Sequence, residues 1–136
     1  AYAMEDLARS FRGIQAQRLV FLADCCYSGA ARDPKAAAQA KGSVDALKLL
    51  TQGKGRVILS ACQADQVAQE STEHGRGLFT HFLLEGLRGA RADIDRDGVV
   101  NTDELYAYIS RGVSAASHQT QHPEKSGSGR VILGGR

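Results

Sequence analysis

Leu19-Val20-Phe21-Leu22-Ala23 holds no polar side chain over five consecutive positions, and Asp24 ends the run abruptly. A run this short is below ordinary helix length, and without alternation it offers no face to water. It therefore predicts a strand buried on both faces, the habit of a parallel sheet. Arg56-Val57-Ile58-Leu59-Ser60-Ala61 repeats the pattern. Elsewhere the apolar spacing is helical. Met4, Leu7, Ala8 and Phe11 precede Gly13, and Val44, Leu47 and Leu50 lie between a Ser43 cap and the glycines 53 and 55. Leu78, Phe79, Phe82, Leu83 and Leu87 are stopped by Gly89, and Leu105, Tyr108, Ile109 and Val113 mark a further helix. Arg130-Val131-Ile132-Leu133, between glycines, predicts a last strand after a polar tail. Helices alternating with buried strands imply an α/β domain with a mainly parallel sheet covered on both faces. Three strands make a narrow sheet with an edge open to pairing, so the chain reads as part of a larger domain.

Length and charge narrow the function. At 136 residues the chain accommodates one domain, and 43% hydrophobic with 24% charged residues is a globular composition rather than a disordered one. Seventeen Lys and Arg against fifteen Asp and Glu leave a net charge of +2, which points to neither nucleic acid nor a membrane surface as partner. Three cysteines, two of them adjacent, imply no disulfide framework and favour a reducing, cytoplasmic setting. No apolar run reaches the roughly 18 to 20 residues that span a bilayer, and no signal-peptide pattern opens the chain. The opening, Ala1 to Arg12, reads as the middle of something.

Functional groups of parallel α/β sheets gather beyond the carboxyl ends of the strands. Asp24-Cys25-Cys26-Tyr27-Ser28-Gly29 occupies that place after the first apolar run. A thiol there needs a base or a cationic neighbour to become thiolate, and backbone N–H groups of the turn could stabilise an oxyanion. The run strand-Asp-x-Cys-x-Ser-Gly resembles the nucleophile motif of metacaspases and bacterial caspase-like cysteine peptidases (clan CD, the C14 type). Gly77-Leu78-Phe79-Thr80 leading into Leu83-Leu84-Glu85-Gly86-Leu87 resembles the helix after that family's active-site loop. The acidic stretch Asp93 to Glu104, ahead of Leu105 and Tyr108, is also similar to that family.

The resemblance implies a caspase-like three-layer α/β/α sandwich of which this chain holds part of the sheet. Residues 1–29 would carry a helix, a strand and the nucleophile, 30–43 an exposed linker, and 44–136 the remaining strands and helices. Cys26, three before Gly29, matches the nucleophile, with Ser28 and Gly29 in the oxyanion turn. Cys25 takes the variable position and reads as packing, and Cys62 reads as core. Tyr27 departs from the His often found there, which is not the catalytic base. Asp24 matches the acidic residue lining the family's S1 pocket, and a carboxylate in a narrow pocket selects Arg, then Lys, in a peptide or protein substrate. The alternative is that Asp24 only ends the strand through a turn hydrogen bond. Glu70 falls in a stretch that resembles the substrate-facing loop, where a solvated face is the competing reading. Arg32, Lys35 and Lys41 make the linker a candidate for self-processing.

The family's base is a His of a His-Gly pair upstream of the nucleophile. Here His74, His81, His118 and His122 all follow Cys26. His74-Gly75 offers the dipeptide but follows a polar stretch, His81 falls in a helix, and His118 and His122 fall in a polar tail expected to be solvated. Two readings follow: a Cys-His dyad completed by a His-bearing amino-terminal portion or another chain, or a non-catalytic caspase-fold module that binds a partner or calcium.

The acidic stretch matches an EF-hand loop position by position. Asp93, Asp95 and Asp97 stand at the first, third and fifth places, Gly98 at the turn, Val99 can offer its carbonyl, Asn101 a water, and Glu104 two oxygens for Ca2+. The competing reading is structural, with Asn101 and Glu104 as the capping box of the last helix. By resemblance alone, Asp33 falls where the family places a calcium carboxylate.

Overall fold

The computed structural model describes residues 4–24, 51, 54–63, 66, 68–71 and 75–135. The helix expected over 44–50 and the 30–43 linker lie outside them.

The first helix, α1 (Met4–Gly13), leads to strand β1 (Leu19–Ala23), which pairs in parallel with β2 (Arg56–Ser60), Leu19 opposite Arg56 and Ala23 opposite Ser60. The sheet's third strand is β6 (Glu124–Ser128), antiparallel to β2, giving the order β1-β2-β6. This corrects two expectations. The tail before Arg130 supplies a sheet strand despite its polar sequence, because an edge strand needs only backbone partners. The predicted last strand, found as β7 (Ile132–Gly135), lies outside this sheet and pairs antiparallel with the short β5 (Val99–Asn101). The sheet is thus mixed.

Side chains of a strand alternate between faces, and the register puts Val20 beside Val57 and Phe21 beside Ile58. Val57 and Leu59 join a core with Phe79, Leu105, Ile109 and Val113, contributed by α2 (Leu78–Leu87) and α3 (Thr102–Ala116). On the other face the ring of Phe11, from α1, meets Phe21 edge-on at 5.4 Å. Helices therefore cover both faces, in three layers. The Arg56 guanidinium donates to the carbonyls of Phe11 (3.2 Å) and Ile14 (3.1 Å), satisfying acceptors that a helix end leaves open.

Val57, Ile58 and Leu59 are buried, so the run in β2 is the doubly covered strand its sequence predicts. β1 is not: Leu22 is 43% exposed. The reason is position, since among the described residues β1 pairs only with β2 whereas β2 is flanked on both sides. Glycine lets the helices meet closely. A Cβ on Gly112 would stand 2.4 Å from the Phe82 ring, and one on Gly86 would stand 3.0 Å from both Leu105 and Tyr108.

Candidate active site

Parallel pairing sets the carboxyl ends of β1 and β2 side by side, and the Ala61 N–H donates to the Ala23 carbonyl at 2.9 Å. At this rim the chain leaves β1 through Asp24 and β2 through Ala61 and Cys62. Asp24 is exposed, and its carboxylate accepts a hydrogen bond from the Thr80 hydroxyl in the first turn of α2. Gly77 lies against the same carboxylate: a Cβ there would approach Asp24 Oδ2 to 3.2 Å. Two stretches quoted from the sequence, the one ending β1 and the one opening α2, thus meet at one carboxylate. Among the described residues the partner of Asp24 comes from another element, α2.

Cys25, Cys26, Tyr27, Ser28, Gly29, Asp33 and His74 lie outside the described residues, as do Arg32, Lys35 and Lys41. Cys62 is buried within the core, as its sequence context predicts, and its thiol donates to the Gln66 carbonyl at 3.5 Å. The polar stretch between β2 and α2 contains a small hairpin, β3 (Glu70–Ser71) with β4 (Arg76–Gly77), that delivers Gly77 to the rim.

Behind the rim stands a residue that sequence reading passed over. Gln121 is fully buried, its Nε2 donating to the Ala61 carbonyl at 2.8 Å and its Oε1 accepting from the Gln69 N–H at 2.7 Å. One amide thereby ties the end of β2 to the residue before β3. Its neighbour His122 is half-buried, contrary to the solvated tail expected: its N–H donates to Gln66 Oε1 at 2.8 Å and its ring Nδ1 lies 3.4 Å from Gln66 Nε2. The left-handed residues His118 and Gln119 turn the chain back after α3 and bring both residues inward. Nothing in residue type or spacing signals this. His118 is exposed; His81 is half-buried, edge-on to Phe82 at 4.9 Å and 3.8 Å from Glu85.

The acidic loop follows the far end of α2. Glu104 holds its amino end and its exit together, Oε1 accepting from the N–H groups of Ile94 (3.0 Å) and Asp95 (3.3 Å), and Oε2 from that of Asn101 (3.1 Å). Asn101 Oδ1 in turn accepts from Asp103 and Glu104, completing a capping box on α3. The structural reading of these two residues is therefore present. The three aspartates are arranged otherwise: one carboxylate oxygen from each of Asp93, Asp95 and Asp97 lies within 4.8 Å of the others.

No helix among the described residues is long and apolar enough to cross a membrane. No curated protein and no solved structure matches the chain. A family model, Peptidase_C14, caspase domain, matches residues 3–130.

Proposed function

The chain belongs to the caspase-domain family of cysteine peptidases, and from that membership we propose an endopeptidase that cuts after Arg, with Lys second. Cys26 attacks the carbonyl carbon of the scissile bond. A histidine from outside this chain takes the thiol proton and returns it to the leaving amine. Ser28 and Gly29, which follow the nucleophile in sequence, are the residues assigned to stabilising the oxyanion. Asp24 pairs with the basic side chain of the residue before the cut.

The observation that carries the specificity is the setting of Asp24. The carboxylate stands at the sheet rim, two residues before Cys26, oriented by the Thr80 hydroxyl and backed by a glycine. A guanidinium accepts this arrangement readily, because it binds one carboxylate through several N–H donors. An acidic side chain would meet like charge. In a full protein that cuts itself, the basic residues Arg32, Lys35 and Lys41 offer cleavage positions.

Fluorogenic peptides differing only in Arg, Lys or Asp before the reporter test the reading on the complete protein. Arg is cut fastest, Asp is not cut, and Cys26→Ala abolishes turnover. Asp24→Asn lowers kcat/KM for the Arg peptide by about 10- to 100-fold, the magnitude of a charge-assisted hydrogen bond. Cutting that survives in Cys26→Ala, or an Arg preference unchanged in Asp24→Asn, sinks the assignment.

A further inference from the structure

We propose that Asp93, Asp95 and Asp97 form a divalent-cation site, selective for Ca2+ over Mg2+, in which Arg130 serves as the built-in counter-ion that the metal displaces. The site lies beyond the opposite end of α2 from Thr80. A ten-residue helix is about 15 Å long, so a cation there stands apart from the Asp24–Thr80 pair.

Acidic loops on protein surfaces are common, and three neighbouring carboxylates alone would mean little. What singles out this one is Asp93. The residue is 92% withdrawn from solvent, the complement of its 8% exposure, and its Oδ1 is buried without a hydrogen-bond partner. Burying a carboxylate oxygen with nothing to bind it is costly, and such an atom calls for a cation. Its other oxygen is already used, accepting from the Gly98 N–H at 3.1 Å. The carboxylate is thus fixed in direction, with one oxygen facing the loop backbone and one left over.

The other two aspartates are held similarly. Asp95 Oδ1 accepts from the Asp97 N–H at 3.2 Å, and Asp97 Oδ1 from the Val99 N–H at 3.0 Å. Gly98, at φ +92°, and Arg96, at φ +61°, take the left-handed turns that keep all three on one side. Two oxygens on one Ca2+, each about 2.3–2.6 Å from it, stand at most about 5 Å apart, so a spacing within 4.8 Å suits a single ion. Mg2+ demands shorter, near-octahedral contacts and gives up its water reluctantly, which sets the selectivity.

Arg130 already bridges the outer pair, its Nη2 at 3.2 Å from Asp95 Oδ2 and 3.9 Å from Asp97 Oδ2. It does not satisfy Asp93 Oδ1. A small divalent ion can reach all three aspartates, whereas the guanidinium, 55% exposed, serves the two outer ones. Glu104 and Asn101 remain the cap of α3, so three carboxylates and water hold the metal. With the last two EF-hand places so committed, the affinity falls in the weak range, on the order of 10⁻⁴ to 10⁻³ M.

Calorimetric titration of the complete protein with CaCl2, without any peptide substrate, tests this independently of the peptidase reading. One saturable site in that range is expected, with MgCl2 at least about tenfold weaker. Asp95→Asn with Asp97→Asn, both exposed and safe for folding, abolishes it. Arg130→Gln tightens it by roughly two- to fivefold, the worth of an exposed ion pair. The absence of saturable Ca2+ binding, or binding intact in the double variant, overturns the site. An unchanged or weaker affinity in Arg130→Gln overturns the displacement.

Discussion

At the residue scale, the proposed preference for a basic side chain depends on how Asp24 is held. The carboxylate is exposed and could rotate freely, but the Thr80 hydroxyl selects one orientation for it. Thr80→Val keeps the shape and removes the donor. The kcat/KM for an Arg peptide should then drop by about three- to tenfold through a higher KM, because an exposed hydrogen bond contributes about 1 kcal/mol and the charge remains. The thermal midpoint should hardly move. A kcat loss with KM unchanged would mean that Thr80 acts elsewhere.

At the element scale, the layer opposite α1 rests on the close crossing of α2 and α3, which two glycines permit. Gly112→Ala would push its methyl into the Phe82 ring, and overpacking of this kind costs about 1–3 kcal/mol, measurable by urea unfolding. Tyr108 of α3 gives the same crossing a pH dependence. Burial first, then the charge of Glu85 and a hydrogen bond to it, hold its hydroxyl above the ordinary value of 10.0, while Arg91 pulls the other way. A raised value means that the folded protein keeps this proton when the unfolded chain has lost it. The resulting stability is full below about pH 10 and is lost as pH rises from there through the folded value. Tyr108→Phe should therefore flatten the fall of the thermal midpoint as pH rises above about 10, and an unchanged slope would exclude Tyr108 as its source.

At the scale of the whole molecule, Gln121 joins parts of the chain far apart in sequence: the end of β2 and the residue before β3, which leads to the hairpin carrying Gly77. Gln121→Leu fills the same space but strands the Ala61 carbonyl and the Gln69 N–H. At about 1–3 kcal/mol for each buried group left unpaired, unfolding should become easier by about 2–6 kcal/mol. Peptidase activity should fall with it even below the unfolding temperature, because Gly77 and Thr80 would lose their footing against Asp24.

Local patterns carried what depends on neighbours in sequence. The apolar runs of β1 and β2 announced parallel strands, the period of Leu105, Ile109 and Val113 announced α3, and Asn101 with Glu104 offered its cap as one of two readings. Each is a property of a few consecutive residues, so spacing alone suffices. Tertiary structure decided the rest. A polar stretch, Glu124 to Ser128, became a sheet strand because β2 had an edge to pair, and β1 left Leu22 exposed because it pairs only with β2 among the described residues. A glutamine in an unremarkable tail became the tie behind the rim, and an arginine 35 positions from Asp95 became its partner. Those outcomes depend on backbone and charge groups finding each other across the fold, and such groups carry no periodicity by which a sequence could reveal them.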